Sequence, residues 1–210
     1  MGDGDIGRSA VPTTLPLRFQ RMELQEHGGL SDRGLDALAT TTGPEALLAT
    51  LTALPDQADA AAALALMLPR RQSVWWACLA VRLIPGMADR AAERVALETA
   101  EAWVQTTADE AAERAFTAAE FCAVAAPARW AAMAAHWSGP SIAPRGQQPV
   151  PPAAHLTGIA TRTALLFTVH DPALRGRVSY ADLVAIGVAL MHGDVGRKAQ
   201  AAVLDRLAGS

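Results

Sequence analysis

The sequence has few of the residues that carry chemistry. Its two cysteines, Cys78 and Cys122, lie far apart, and neither belongs to a Cys-x-x-Cys or Cys/His spacing typical of metal sites. The chain has no Gly-x-Ser-x-Gly nucleophile motif, no P-loop and no Gly-x-Gly-x-x-Gly after a strand. We therefore expect no catalytic residues, no cofactor and no metal, and we predict that both cysteines are small buried residues.

Lysine and tyrosine, which are common in nucleic-acid-binding surfaces, are also scarce. Lys198 is the only lysine, the chain has one tyrosine, and the formal net charge is −3. Without a basic field or an aromatic–basic alternation, we do not expect nucleic-acid binding. No run of 18 apolar residues occurs, so no membrane span is expected. Residues 1–10 lack a signal-peptide pattern, which predicts a cytoplasmic protein.

What the sequence does contain is alanine, leucine and well-placed helix boundaries. Alanine favours helix because it loses no side-chain entropy on folding. Pro44, Pro69 and Pro127 stand where a helix can begin, since the missing N–H of proline would be unpaired there anyway. We predict an all-α fold: a single compact bundle of about eight helices with antiparallel neighbours and one long Pro/Gly-rich loop.

Two segments depart from this helical pattern. Residues 1–30 are predicted to be a flexible N-terminal segment that is partly docked, and residues 31–210 a helical domain. Within that domain, residues 138–154 are rich in proline and glycine and form the predicted irregular loop. A loop of this length inside a compact domain is uncommon and is usually functional or disordered.

Two sequence signals predict helix caps. Thr107 and Glu110 have the spacing of a capping box, which predicts Thr107 as the N-cap of a helix over residues 108–126. Ser179 is predicted to cap a helix from Tyr180 to Met191.

The tryptophans suggest where a partner could bind. Trp75 and Trp76 are adjacent, so on a helix their side chains point about 100° apart and one should be less buried. Tryptophan beside a proline-rich loop suits partner binding, because tryptophan is enriched at interface hot spots. Alternatively, the loop folds back and its proline rings pack on the indoles. The predicted contact surface consists of Arg70, Arg71, Trp75, Trp76, Trp137, Ile142, Arg145 and His155.

Three functional hypotheses follow from these features. The first is a non-enzymatic helical adaptor or chaperone-like accessory protein with protein partners. The second is a small-ligand-binding protein or enzyme whose pocket lies between the Trp-bearing helices and the loop, with His136 and His155 converging in it. The third is a structural component that self-assembles through alanine-rich helix faces.

Two stretches of the chain resemble a known family. They are residues 68–80, Leu-Pro-Arg-Arg-Gln-Ser-Val-Trp-Trp-Ala-Cys-Leu-Ala, and residues 127–139, continued at 151–156. These stretches resemble an uncharacterised bacterial family of small Ala/Arg-rich helical proteins associated with type VI secretion gene neighbourhoods. The resemblance spans roughly residues 69–167 and brings no catalytic residues with it. It implies an accessory or adaptor role with secretion-system components as partners.

Overall fold

All regular secondary structure in the described part of the chain is helical. The computed structural model describes residues 15–143, 146–174 and 176–209, and in these it has eleven α-helices and no strand. The all-α prediction is confirmed, whereas the prediction of about eight helices is wrong. The helices are α1 Arg21–His27, α2 Asp32–Thr40, α3 Pro44–Thr52, α4 Ala58–Met67, α5 Arg70–Val81, α6 Ala91–Thr106, α7 Asp109–Glu120, α8 Pro127–His136, α9 Leu156–Val169, α10 Tyr180–Met191 and α11 Arg197–Ala208.

The N-terminal part of the domain contains the shortest helices. Helices α1, α2 and α3 have seven, nine and nine residues. They are held by packing, because helices this short are marginal by themselves.

Helix α5 lies at the centre of the fold. It packs against α6, α8, α9, α10 and α11. From Ser73 to its end every side chain of α5 is buried except that of Trp75, which is half-buried. The buried hydroxyl of Ser73 lies 2.9 Å from both the Ala65 carbonyl oxygen and the Thr161 hydroxyl. This contact satisfies a polar group that would be costly to leave unpaired in the core.

Small residues allow the helices around α5 to approach closely. A Cβ atom added to Gly158 of α9 would lie 2.8 Å from the Leu66 Cα atom, and one added to Gly187 of α10 would lie 2.8 Å from the Trp76 ring. Because helix–helix distance follows the size of the side chains in the contact, glycine and alanine here permit short separations. The alanine-rich composition therefore builds a core from close backbone contacts as well as from large side chains.

The segment before α2 is docked on the domain. The Leu15 N–H donates to the Met191 carbonyl (2.8 Å), and the Arg18 N–H donates to the Met67 carbonyl (2.7 Å). Leu24 of α1 is buried, and the Arg162 guanidinium donates to the Gly28 carbonyl. Residues 15–30 are thus fixed to α4, α9 and α10. The predicted flexibility of residues 1–14 lies outside the described residues.

The two predicted caps have different outcomes. Ser179 accepts a hydrogen bond from the Asp182 N–H, and Asp182 accepts one from the Ser179 N–H, which confirms the N-cap of α10. The Thr107 prediction is wrong. Thr107 has φ of +52° and its N–H donates to the Trp103 carbonyl, so it closes α6. Helix α7 instead begins at Asp109.

Candidate functional site

The structure does not bring the predicted contact residues together on one surface. Trp76 is 0% exposed, packs against α10, and donates from its indole Nε1 to the Leu183 carbonyl at 2.8 Å. It therefore cannot contact a partner, and its inclusion in the predicted surface is wrong. Arg70 is the half-buried first residue of α5, and Arg145 lies outside the described residues.

Trp75 and Arg71 line a pocket on the other side of α5. This pocket, called the Trp75 pocket below, has a volume of about 370 Å³ and lies between the first turn of α5, the end of α6 and the turn before α11. Its lining consists of Leu15, Arg71, Gln72, Trp75, Glu101, Val104, Gln105, Leu190, Gly193, Asp194, Val195 and Arg197.

Local contacts fix the orientation of Trp75 and Arg71. The Trp75 indole Nε1 donates to the Val195 carbonyl at 2.8 Å, and the Arg197 guanidinium carbon lies 5.1 Å from the Trp75 ring centroid. The Arg71 Nε donates to the Val104 carbonyl at 2.6 Å. That carbonyl is one of the last four of α6, which have no partner within the helix. The pocket walls are therefore held in place without a ligand.

A second candidate site is the apolar turn between α7 and α8. Phe121 is 77% exposed and Val124 is 68% exposed. The half-buried Trp130 donates from Nε1 to the Val124 carbonyl at 2.8 Å, and its ring centroid lies 6.4 Å from that of Trp137. We call Phe121, Val124, Trp130 and Trp137 the α7–α8 surface. Of these four, only Trp137 belongs to the predicted contact residues.

Sequence reasoning missed Phe121 and Val124 because it extended the preceding helix to Ala126. Helix α7 ends at Glu120, and the Arg129 guanidinium donates to the Ala119 and Cys122 carbonyls at 2.8 and 3.0 Å. A weak signal was available in the sequence: Phe121 is nine positions after the buried Ala112, so on a continued helix it would point half a turn away from that alanine.

Glu120 borders the α7–α8 surface. It is exposed and is the last residue of α7, directly before Phe121. Asp109 and Glu113 share its face of the helix but lie toward the other end of α7, where they line a pocket with His136. The apolar turn therefore adjoins the carboxylate of Glu120.

His136 and Ile142 lie near the other end of α7. They line a pocket of about 310 Å³ with Phe116, whose ring centroid is 4.6 Å from that of His136. His136 is 8% exposed, and its buried Nδ1 has no hydrogen-bond partner among the residues that the structure describes. Burial lowers the pKa of His136, against the opposing effect of a hydrogen bond with the Ala112 backbone and of the nearby Glu113.

His155 occupies a different environment. Its ring stacks on His27 of α1 with a centroid distance of 3.7 Å. The pKa of His155 is lowered by burial and by the proximity of His27, against the opposing effect of Glu23 and Glu26. His136 and His155 thus contact different rings and do not converge. The prediction of one pocket that uses both imidazoles is wrong.

Neither a cluster of metal ligands nor a membrane-spanning helix occurs in the described parts of the chain. Within residues 15–143, 146–174 and 176–209, no group of three or more His, Cys, Asp or Glu side chains could hold a metal ion. No helix in these ranges is both long and apolar enough to cross a membrane. Cys78 and Cys122 are free and buried, which confirms the prediction for both, and burial raises the pKa of each thiol.

Comparison with known protein families places most of the chain within one family model. The model of a family of unknown function, DUF6931, matches residues 47–191, from α3 to the end of α10. No curated protein and no solved structure matches the chain significantly. The matched segment contains α5 and the whole α7–α8 surface.

Proposed function

The chain belongs to the DUF6931 family, and we propose that it is a non-enzymatic helical adaptor that binds a protein partner through the α7–α8 surface. The observation that carries this proposal is the exposure of Phe121 and Val124 in one short turn. Large apolar side chains that adjoin one another on a surface mark interaction sites, whereas single exposed ones are ordinary.

The turn is fixed before any partner binds. Trp130 and Arg129 donate hydrogen bonds to three backbone carbonyls of residues 119–124. This chain would therefore lose little additional conformational freedom when a partner docks on Phe121 and Val124. Such preorganisation raises affinity because less ordering entropy opposes binding.

The charge next to the turn indicates the chemistry of the partner. Glu120, the exposed last residue of α7, places an acidic side chain directly before Phe121. We expect the partner segment to have apolar side chains flanked by arginine or lysine, since complementary charge favours encounter and orientation. The resemblance to proteins from type VI secretion gene neighbourhoods supports a chaperone-like or adaptor role toward components of such a system.

A site-specific cross-link can test this proposal. Thr117 is exposed and lies one helical turn before Phe121 on α7. With a photoreactive phenylalanine analogue at position 117, we expect one discrete heterologous adduct in the native host. The double variant Phe121→Ser, Val124→Ser should remove the adduct, and mass spectrometry of the cross-linked peptide should find a basic, apolar partner segment.

The matched control is Met22→Ser, because Met22 is 69% exposed but lies on α1. This variant should keep the adduct. An adduct that persists in the folded double variant would overturn the proposal. An adduct between two copies of this chain would instead favour a self-assembling component.

A further inference from the structure

The geometry of the Trp75 pocket points to a second binding site, which takes a small organic carboxylate whose apolar group packs beside Trp75. None of its residues belongs to the α7–α8 surface, so this inference is independent of the proposed adaptor function. It rests on three observations: the cavity, the two arginines on its wall, and the indole held between them.

Two guanidinium groups face the pocket without a carboxylate partner among the described residues. Arg71 uses its Nε for the Val104 carbonyl, which leaves its two terminal nitrogens available as donors. Arg197 lies over the Trp75 ring and forms no ion pair in this part of the chain. Arginine presents planar donors that match the two oxygens of a carboxylate.

The acidic residues of the lining do not cancel these two charges. Glu101 forms a two-point ion pair with Arg82, and hydrogen bonding to Glu101 raises the pKa of that arginine. Asp194 accepts a hydrogen bond from the Gly196 N–H at 3.2 Å. The lining itself has two arginines and two carboxylates, but Glu101 is neutralised by Arg82, which lies outside the lining. Asp194 is therefore the carboxylate of the lining that remains to face Arg71 and Arg197.

The remainder of the lining sets the size and polarity of the ligand. Leu15, Val104, Leu190 and Val195 supply apolar walls, and Gln72 and Gln105 supply amides. A volume of about 370 Å³ lies at the lower end of the range for small-molecule sites. A ligand that fits this pocket has a single ring or a branched aliphatic chain together with a carboxylate. It is either a free acid or the C-terminal residue of a peptide.

Phenylacetate is a suitable probe, with phenylacetamide as its uncharged counterpart. Titrations of the full chain are followed by the NMR signal of the Trp75 indole N–H, which the variant Trp75→Phe identifies. We expect phenylacetate to shift this signal with a Kd of about 1 mM or tighter. Phenylacetamide should bind about tenfold more weakly or worse, because it lacks the charge-assisted hydrogen bonds.

Variants locate the anion site. Arg71→Gln and Arg197→Gln should each weaken phenylacetate binding about tenfold. Arg114→Gln, which removes the same charge from exposed α7, should leave the Kd unchanged. A peptide that ends in a free phenylalanine carboxylate separates the two sources of the ligand. If the peptide binds more tightly than phenylacetate and its binding is lost on amidation, the ligand is a polypeptide C-terminus. If the peptide binds more weakly than phenylacetate, the ligand is a free acid.

Three results would overturn the inference. One is a Trp75 signal that responds to neither the acid nor the peptide. Another is equal affinity for phenylacetate and phenylacetamide. The third is an unchanged affinity of Arg197→Gln for phenylacetate. This variant keeps the hydrogen bond between Arg71 and the Val104 carbonyl, so it can be measured even if Arg71→Gln fails to fold.

Discussion

Trp75 and Trp76 are neighbours in the chain, yet they have opposite roles. Trp76 is enclosed by α10 and donates to the Leu183 carbonyl, whereas Trp75 is half-buried at the rim of a pocket and donates to the Val195 carbonyl. The helical rotation of about 100° per residue produces this difference. The same residue type thus lines a pocket at position 75 and belongs to the core at position 76.

This difference predicts unequal effects of the same substitution. Trp76→Phe removes a buried hydrogen bond and leaves a void, so we expect it to lower the free energy of unfolding by about 1–3 kcal/mol. Trp75→Phe should cost less than about 1 kcal/mol, because water can replace its bond at the surface. Urea unfolding followed by circular dichroism measures both. Equal losses would contradict the assignment of Trp76 to the core.

At the scale of secondary-structure elements, the junction between α6 and α7 depends on one unusual backbone conformation. Thr107 is the only residue other than glycine with positive φ in the described ranges. A β-branched residue is unfavourable there, because its Cβ crowds the following carbonyl oxygen in the left-handed region. The position favours glycine, which commonly ends helices in this way.

Replacement of this residue should therefore stabilise the protein. We expect Thr107→Gly to raise the free energy of unfolding by about 0.5 kcal/mol, since relief of the left-handed strain exceeds the entropy that glycine adds to the unfolded chain. The neighbouring control, Thr106→Gly, lies in the last turn of α6 and should lower it by about 1 kcal/mol. Thermal denaturation can compare them, and destabilisation by Thr107→Gly would refute the assigned conformation.

At the scale of the whole molecule, one ion pair joins segments that are 81 residues apart. Arg90 precedes α6 and donates to both oxygens of Asp171, which follows α9, at 2.7 and 3.1 Å. The Asp171 side chain is buried. Burial alone would raise the pKa of Asp171, but hydrogen bonds from Arg90 and from the Ala173 N–H hold it below its ordinary value.

This lowered pKa predicts acid-dependent stability. The folded state favours ionised Asp171, so the contribution is present above the unfolded-state pKa of about 3.9 and is lost as pH falls through the lower folded-state pKa. From about pH 5 to pH 3, Asp171→Asn should lose less stability than wild type in urea unfolding. Exposed Asp36→Asn should follow wild type, and parallel curves for all three proteins would exclude this role of the Arg90–Asp171 pair.

Local signals in the sequence were sufficient for the helical class and for several boundaries. Proline at the first or preceding position marks α3, α5 and α8, and Ser179 caps α10, because these effects depend only on neighbouring backbone groups. Of the predicted contact residues, Arg71 and Trp75 line one pocket, and Trp137 lies on the α7–α8 surface.

The sequence by itself determined that this chain is helical and where many of its helices begin, since backbone hydrogen bonding and capping are local. Only the tertiary structure decided which faces are exposed. An alanine face gives a weak burial signal, so the pattern could not show that Trp76 lies inside and Phe121 outside, or that His136 and His155 contact different rings. These outcomes depend on how helices that are distant in the chain pack on one another, and such contacts cannot be read from a local pattern.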